Sequence, residues 1–565
     1  MKRHSVGSIS RKTVLLSVAV MALSVVSVHG APAVTKKTTK KVTTKPAAKA
    51  TTATKAPAAP ASTAAPTTIA ASINNIVELA ATDGSPLGTV TGSDQNATFT
   101  YAMSNAVNTL DPVINTATYS PGWYGQAYEG LIQSNLDGSY SGLLADTFAF
   151  EDNGLSLVFK LRKGVKFSDG TPFDAAAVKA NIERGKNLPA SLTKAALLPI
   201  ASVEVLDPLT AKFKFARTNA AIVDILSDKA GLMVSPAAFS RADLGIKPVG
   251  TGPYRLVGYQ VGVQATYERN PDYWGKPGNV AKIVVKTYTD PAASLNALQT
   301  GDVDMAVIGG EDVDTAKRAK MTIKTVESPI TEHALLNFST KFSDIRVRKA
   351  LSYATDRSSI AAFAGVGKPA WQYALPGSNL WDKSVDGMFE YSPFKAKQLL
   401  TEAGFGNGFE FSLAYSIRPY TADLAQILQQ MWQKAGFKVT LRPLDAVSTV
   451  DICITKKQCD ALVGNQTTRL DMAALASSTF ITGARTNLGP NGLPEIEAAV
   501  AEANSTLDDA KRFVAMKKIN NLLATLTPYV PIRSVSTLVA TRSGVMPFSW
   551  TLYSNPQWNT VAIKK

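Results

Sequence analysis

The sequence predicts an α/β protein with more than one domain, and three observations support this fold class. About 490 of the 565 residues follow a low-complexity N-terminus, which is more than one hydrophobic core usually holds. Two distant segments, 283–308 and 409–441, each have a strand–helix–strand pattern with a short crossover, and such units give parallel strands. A hydrophobic content of 45% with 18% charged residues is that of an ordinary globular protein.

The first 30 residues predict an export signal. A basic start precedes an apolar run over 14–28, which is too short for a membrane span of about twenty residues. Small residues place the expected cleavage after Gly30, and an uncleaved anchor is the alternative. Cys453 and Cys459 are the only cysteines, so none follows the apolar run and no lipoprotein anchor is expected.

Residues 31–72 predict a disordered tail, because Ala, Thr, Pro and Lys without acidic residues cannot form a core. The first 72 residues carry 11 Lys and Arg, so only +4 of the net charge of +15 belongs to the rest. A nucleic-acid-binding protein concentrates its basic charge on the folded domain, so nucleic acid is not an expected partner. The tail is a solvated spacer or, alternatively, contacts an anionic surface.

Histidine usage argues against most catalytic and metal sites. Of the three histidines, His4 and His29 lie in the signal region, which leaves His333 as an expected structural residue. One histidine cannot build a multi-His zinc site, and a catalytic triad could use only His333. We therefore expect no metal, no cofactor and no enzymatic activity. A hydrolase that uses only carboxylates stays open. Cys453 and Cys459 predict a local disulfide, with two free thiols as the alternative.

Local signals in the first half of the chain predict strands, turns and a capped helix. Residues 97–102 alternate like a strand, and 159–167 predict two short strands before a turn. Asp174 is a good N-cap for the helix that follows, and Gly185 is a good stop.

The stretch 248–254 predicts a sharp turn and then a hairpin. Gly250 and Gly252 flank a threonine and precede a proline, so we exclude a helix and expect both glycines to need φ freedom. The β-rich runs 254–259 and 263–267 form the hairpin.

The second half predicts a repeated alternation of strands and helices. Asp344 caps one helix, and Thr421 opens another between strands 409–415 and 437–441. Residues 495–523 are expected to be mostly helical. The closing strands are expected at 529–532 and 535–540.

Five collinear blocks resemble the extracytoplasmic solute-binding proteins that serve oligopeptide, dipeptide and nickel ABC importers, known as family 5. The blocks are FKLRKGVKFSDGTPF (159–173), GTGPY (250–254), ERNPDYW (268–274), LQTGDVD (298–304) and LLNFSTKFSDIRVRKALSYATDR (335–357). The resemblance covers about 97–543. It implies a periplasmic-binding-protein-like fold, with two α/β lobes with mixed sheets around a ligand cleft, a smaller third domain, and hinge crossovers.

The resemblance also implies domain boundaries. Lobe I is expected to comprise 97–125, 250–328 and 530–565, the accessory domain 126–249, and lobe II 329–529. A small solute that contacts both lobes would favour the closed form, which a membrane permease then recognises.

The implied function is that of an exported receptor, periplasmic, in the cell envelope or secreted, that delivers a peptide or peptide-like solute to ABC importer permease subunits. A monomer is expected. The alternatives are a receptor for an oligosaccharide or other non-peptide solute, a carboxylate-dependent hydrolase, and a sensor without a transport role.

Aromatic and polar residues in loops after strands are the candidate ligand contacts, and core packing is the alternative for each. They are Tyr119, Trp123, Tyr124, Trp371, Tyr373, Tyr415, Arg418, Asn465, Gln466, Arg469 and Asp471. Arg469 and Asp471 could instead pair with each other at the surface. Peptide-binding relatives carry an Asp for the ligand amine where this chain has Thr468, which keeps a non-peptide solute open.

Overall fold

A computed structural model describes residues 90–104, 106–115, 121–135, 139–375, 378–417, 419–551 and 555–565. The predicted signal and tail lie outside the described residues, as do Tyr119 and Arg418. Within the described ranges, no helix combines the length and apolar character that crossing a membrane requires.

Seventeen strands and fourteen α-helices, together with a few short 3-10 and π-helical turns, organise the described residues. Strands β1 to β17 are, in order, Thr98–Met103, Ile132–Ser134, Tyr140–Gly142, Ala145–Glu151, Ser156–Leu161, Ile200–Asp207, Thr210–Phe215, Tyr254–Gln260, Gln264–Arg269, Lys282–Thr287, Met305–Ile308, Thr322–Leu336, Lys368–Pro369, Phe409–Ser416, Phe437–Leu444, Ala461–Thr467 and Tyr529–Thr541. Helices α1 to α14 are Pro121–Tyr124, Ala175–Asn187, Lys194–Leu197, Ile222–Leu226, Pro291–Thr300, Val313–Arg318, Ile345–Tyr353, Arg357–Ala364, Pro393–Glu402, Pro419–Lys434, Ala446–Ser448, Met472–Thr479, Pro494–Asn504 and Asp509–Leu526.

One mixed sheet of eleven strands carries most of the fold. Its order is β15-β14-β16-β12-β17-β11-β1-β10-β9-β8, and β13 also pairs with β17. Strand β1 lies between β10 and β11 and is parallel to both, and β14 is likewise parallel to β15 and β16. Both predicted strand–helix–strand units are therefore confirmed, with α5 and α10 as their crossover helices.

The long strands β12 and β17 join the two halves of this sheet. Strand β12 pairs with β16 over 330–336, whereas β17 pairs with β11 over 538–541. Their antiparallel register shifts between Glu327 and Thr331, and again between Glu332 and His333. The two closing strands predicted from the sequence are one continuous strand, and the expected helix over 495–523 is the pair α13 and α14.

A smaller four-stranded sheet, ordered β4-β5-β7-β6, packs against α2. The side chain of Asp174 accepts a hydrogen bond from the backbone N–H of Ala177 at 2.8 Å, which confirms the predicted N-cap. The helix does not stop at Gly185, however, but continues to Asn187. A Cβ at Gly185 would lie 2.5 Å from Cδ1 of Leu197, so close packing explains this glycine.

The predicted turn at 250–252 forms, but for a different reason from the one expected. Neither Gly250 nor Gly252 has a left-handed φ. A Cβ added at Gly250 would lie 2.2 Å from the carbonyl oxygen of Ala127, and one added at Gly252 would lie 2.4 Å from the carbonyl oxygen of Gln126. Both glycines are therefore required by close backbone approach. The predicted hairpin follows as the antiparallel pair β8 and β9.

Three large hydrophobic clusters hold these elements together. The first joins the β1–β10 region to the small sheet, for example through Phe99 and Phe159. The second lies among α12, α13 and α14, around Phe480. The third packs α10 on β14 and β15, around Trp432. The exact domain boundaries stay a prediction.

Candidate functional site

The GTGPY and DYW motifs converge on the buried carboxylate of Glu129. This side chain accepts hydrogen bonds from Tyr273 OH at 2.7 Å, Trp274 Nε1 at 2.8 Å and Thr251 Oγ1 at 3.0 Å. Burial raises the pKa of Glu129 to about 7, while the three donors and the nearby Arg162 oppose that rise. The motifs therefore build a buried polar anchor within the scaffold.

The aromatic candidates near the N-terminus lie in the core. Trp123 and Tyr124 are 0% and 1% exposed. The indole of Trp123 packs edge-on against the ring of Tyr259, with centroids 6.4 Å apart, and Tyr124 packs in the same way on Tyr128 at 6.1 Å. These positions favour core packing, the alternative that the sequence left open.

Tyr373 occupies a core position, whereas Trp371 is half-buried. The hydroxyl of Tyr373 lies 3.0 Å from Nδ1 of His333, and both side chains are buried. Burial lowers the pKa of His333 to about 3, so the imidazole is neutral at physiological pH. The guanidinium of Arg357 stacks 5.7 Å from the ring centroid of Trp371.

Three other candidates gather at one edge of the large sheet. Because β14 and β16 are parallel, their carboxyl ends bring Tyr415, Asn465 and Gln466 to the same edge of the sheet, where Asn465 and Gln466, as neighbours in one strand, point to opposite faces. Tyr415 is half-buried and Asn465 is exposed. Gln466 accepts a hydrogen bond from Thr479 Oγ1 at 3.2 Å. The carboxyl edge of parallel strands is where α/β sheets bind ligands.

Arg469 and Asp471 do not pair with each other. Arg469 places Nη1 2.9 Å from Asp224 and Nη2 2.9 Å from Asp228, and so joins the expected lobe II to the expected accessory domain. Asp471 caps α12 by accepting from two backbone N–H groups, and it also forms an ion pair with Arg512. The alternative of a mutual surface pair is therefore wrong, because each side chain has partners from distant segments.

Asp224 is the buried end of this ion-pair group. It is 1% exposed, and Tyr140 OH donates a hydrogen bond to it at 2.8 Å. Burial raises the pKa of Asp224, and the charge of Arg469 opposes that rise. Arg469 thus compensates a carboxylate that would otherwise be costly to bury.

A group of cations beside Arg469 escaped the sequence analysis. Lys229 donates from Nζ to the carbonyl oxygen of Asn115 at 2.6 Å, and Lys457 donates to that of Arg485 at 2.8 Å. Burial lowers the pKa of Lys229 to about 8, and the charge of Arg485 lowers it further. No local signal marks these residues, because they come from three segments that meet only in the fold.

The last two sequence expectations concern the cysteines and a metal site. Cys453 and Cys459 form a disulfide, the first of the two expected alternatives. Among the described residues, no cluster of three or more His, Cys, Asp or Glu side chains is arranged to hold a metal ion.

Comparison with known proteins decides the family. Residues 139–487, more than half of the chain, match the family described as "Bacterial extracellular solute-binding proteins, family 5 Middle". The chain belongs to this family. The glutathione-binding protein GsiB of Salmonella paratyphi A is 33% identical over 356 residues, covering 61% of this chain and 69% of that protein.

Solved structures of related proteins share the fold. The binding protein AgaA from A. tumefaciens R10, in complex with agropinic acid, matches with a TM-score of 0.73 at 25% identity, covering 83% of this chain and 99% of that one. DppA from Helicobacter pylori, in complex with the peptide STSA, matches with a TM-score of 0.74 at 20% identity, covering 83% and 98%. The expected periplasmic-binding-protein-like fold is therefore confirmed.

Family membership gives the general function. Family 5 proteins bind small solutes outside the cytoplasm and work with ABC importers, and the relatives found are binding proteins. This chain is therefore an extracytoplasmic solute-binding receptor that delivers a small solute to an ABC importer.

Proposed function

We propose that the solute is a peptide or a peptide-like acid, bound where the expected lobe I, lobe II and accessory domain meet. The observation that carries this proposal is a pair of contacts that join the three expected segments. Lys229 of the accessory domain donates to the carbonyl oxygen of Asn115 in expected lobe I at 2.6 Å, and Arg469 of expected lobe II pairs with Asp224 and Asp228 of the accessory domain. A solute held at such a junction contacts all three segments, as a receptor that closes around its ligand requires.

The relatives support the ligand class. GsiB is named a glutathione-binding protein, DppA was solved with a tetrapeptide, and AgaA was solved with agropinic acid. Glutathione and STSA are peptides, and agropinic acid is by its name an acid.

The side chains at the carboxyl edge of β14 and β16 extend the proposed site. Tyr415, Asn465 and Gln466 offer an aromatic face and amide groups suited to a peptide backbone. Arg418 and Tyr119 remain proposed contacts on the sequence argument alone.

The proposal includes export and a monomeric state. The predicted signal over 1–30 would be removed, and the predicted tail over 31–72 would link the receptor to its surroundings as a flexible spacer. N-terminal sequencing of secreted protein should begin at Ala31, and light scattering should give the mass of one chain. An intact Met1 on the secreted protein would contradict the cleavage.

Calorimetry on ligand-stripped protein tests the ligand class. The protein is unfolded in guanidinium, washed and refolded, and then titrated with Ala-Ala-Ala, Ser-Thr-Ser-Ala, reduced glutathione and maltotriose. We expect saturable binding of at least one peptide and none of maltotriose, with the bound peptide recovered unchanged by mass spectrometry. Binding of the sugar alone, or a cleaved peptide, would contradict the proposal.

A further inference from the structure

The connecting strands β12 and β17 have a groove on one face, at the point where the two expected lobes approach each other. Its floor includes Glu327 and Ser536, which lie opposite each other in the β12–β17 register. One wall comes from residues of 310–314, in expected lobe I, and the other is the loop 365–368, in expected lobe II. The cavity between the walls has a volume of about 450 Å³. The groove therefore separates the two expected lobes on this face.

The two walls touch through a pair of glycines. A Cβ added at Gly310 would lie 3.7 Å from Cα of Gly365, and one added at Gly365 would lie 3.8 Å from Cα of Gly310. These are ordinary van der Waals distances, so a methyl group fits at Gly310 as the structure stands. A larger side chain there would have to push the walls apart.

The two glycines differ in what their backbones require. Gly365 is the C-cap of α8 and has a left-handed φ of 70°, which disfavours any side chain at that position. Gly310 has no left-handed φ, so its backbone accepts a side chain without strain. A substitution at Gly310 therefore changes the contact between the walls and leaves the local backbone as it is.

The groove lies on the opposite face of the connecting strands from the junction where the solute is proposed to bind. Side chains alternate along a strand, so Leu538 shares the face of Ser536, and it packs with α5 and α6. Val539 points to the other face and joins the first cluster, which contains much of the expected accessory domain. Helix α4, which carries Asp224, also packs into the first cluster. The ion pairs of Asp224 and the glycine contact are thus on opposite faces.

Contacts on opposite faces of a bending connection work against each other. The register of β12 and β17 shifts between Glu327 and Thr331, beside the groove, and irregular pairing of this kind is where strands bend. A rotation about this point that brings the expected lobes together around a solute moves Gly310 away from Gly365. The reverse rotation presses the two glycines together, so their contact limits how far the solute side can open.

We propose that the Gly310–Gly365 contact limits the opening of this receptor, so that the groove controls the affinity for a solute that it does not touch. The inference rests on the proposed function for the position of the solute and adds a conformational control. A receptor whose closed form is partly populated binds with its intrinsic affinity reduced by that populated fraction. Added bulk between the two glycines disfavours the open form, which raises this fraction and strengthens binding.

The variant Gly310→Ile tests this control. Isoleucine fills two of the three staggered positions on Cβ, so rotation of its side chain does not readily clear the contact. Ligand-stripped full-length protein is titrated with Ala-Ala-Ala, Ser-Thr-Ser-Ala and reduced glutathione. We expect Gly310→Ile to bind whichever of these the wild type binds about tenfold more tightly, because overpacking penalises the open form by about that factor.

Two controls keep the wild-type affinity if the contact is responsible. Gly310→Ala adds only the methyl group that already fits. Gly406→Ile makes the same replacement at an exposed glycine that also lacks a left-handed φ. A Cβ added at Gly406 meets only the side chain of Thr401, at 3.7 Å and within the same expected lobe. Bulk at this position therefore cannot separate the walls of the groove.

A distance measurement across the groove follows the movement directly. Nitroxide labels on Lys317→Cys and Ala362→Cys occupy exposed positions of α6 and α8, one on each side. Cys453 and Cys459 are bonded to each other and do not take the label. By pulsed electron–electron double resonance, we expect a longer distance between the labels in Gly310→Ile than in Gly310→Ala. The otherwise unchanged protein should likewise show a longer distance with a bound peptide than without it.

The outcomes separate this inference from the proposed function. Weaker binding by Gly310→Ile, folded by circular dichroism, would place the contact on the closing side and overturn the inference. A widened groove with unchanged affinity would show that the contact does not control closure. If Gly310→Ile does not fold, equal label distances with and without bound peptide overturn it. If the wild type binds none of the peptides, the proposed function fails, and equal label distances in Gly310→Ile and Gly310→Ala then overturn this inference as well, whereas a longer distance in Gly310→Ile supports it.

Discussion

Replacement of Glu129 by Gln should change how stability depends on pH. Glu129 is buried beneath the GTGPY and DYW motifs, and its pKa rises from an ordinary 4.5 to about 7 in the folded protein. Between these two values the folded state holds a proton that the unfolded state has released. The free energy of unfolding contributed by this group therefore falls as pH rises through that window, and the loss is complete above about pH 7.

The size of the effect follows from the same two values. A difference from 4.5 to about 7 corresponds to about 3 kcal/mol, at about 1.4 kcal/mol for each pH unit. In Glu129→Gln this contribution is absent. Relative to the variant, the wild type should lose about 3 kcal/mol of unfolding free energy between about pH 4.5 and pH 7.

Urea unfolding followed by tryptophan fluorescence at pH 4.5, 6 and 7.5 measures this difference. His333 titrates in the opposite sense, because burial lowers its pKa to about 3, but both proteins contain it and its contribution cancels. Glu390→Gln, at an exposed position, is the control and should follow the wild type. Parallel stability curves for wild type and Glu129→Gln across this range would refute the reasoning.

Two further substitutions test the junction and the core. Arg469→Ala leaves the buried Asp224 without its cation, so urea unfolding should show a loss of about 3 kcal/mol in the free energy of unfolding. The control Arg255→Ala should change this free energy little. Equal stability of the two variants would show that the ion pair is not needed. Trp123→Ala removes a fully buried indole and should cost about 3–5 kcal/mol by the same assay, while solute affinity per folded molecule stays unchanged. Reduced affinity at unchanged stability would instead place this ring against the solute.

The elements that were predicted well depend on nearby residues. Asp174 and Asp344 each accept a hydrogen bond from a backbone N–H two or three residues later, so a short window of sequence contains the whole capping interaction. The glycines of the GTGPY turn show where this approach stops. Their presence indicates a turn. Gly250 is required, however, because the carbonyl oxygen of Ala127, in another part of the chain, leaves no room for a side chain there.

The candidate site was harder to predict because its contacts join distant segments. Trp123 and Tyr124 stand beside proline and glycine, which suggests a loop, yet their packing partners include Tyr259, more than a hundred residues later. Arg469 and Asp224 are 245 residues apart in the chain. No spacing rule connects these two residues. Asp471 is closer to Arg469 in the sequence, but the two side chains do not pair in the structure.

The ion pairs at the junction also bear on how solute binding favours closure. Contacts of Arg469 with Asp224 and Asp228 hold expected lobe II against the accessory domain. A solute that contacts both of these segments binds the closed form better than the open form, and this difference in affinity is what shifts the population. The register shift between β12 and β17, near Thr331, is where the two halves of the sheet would bend.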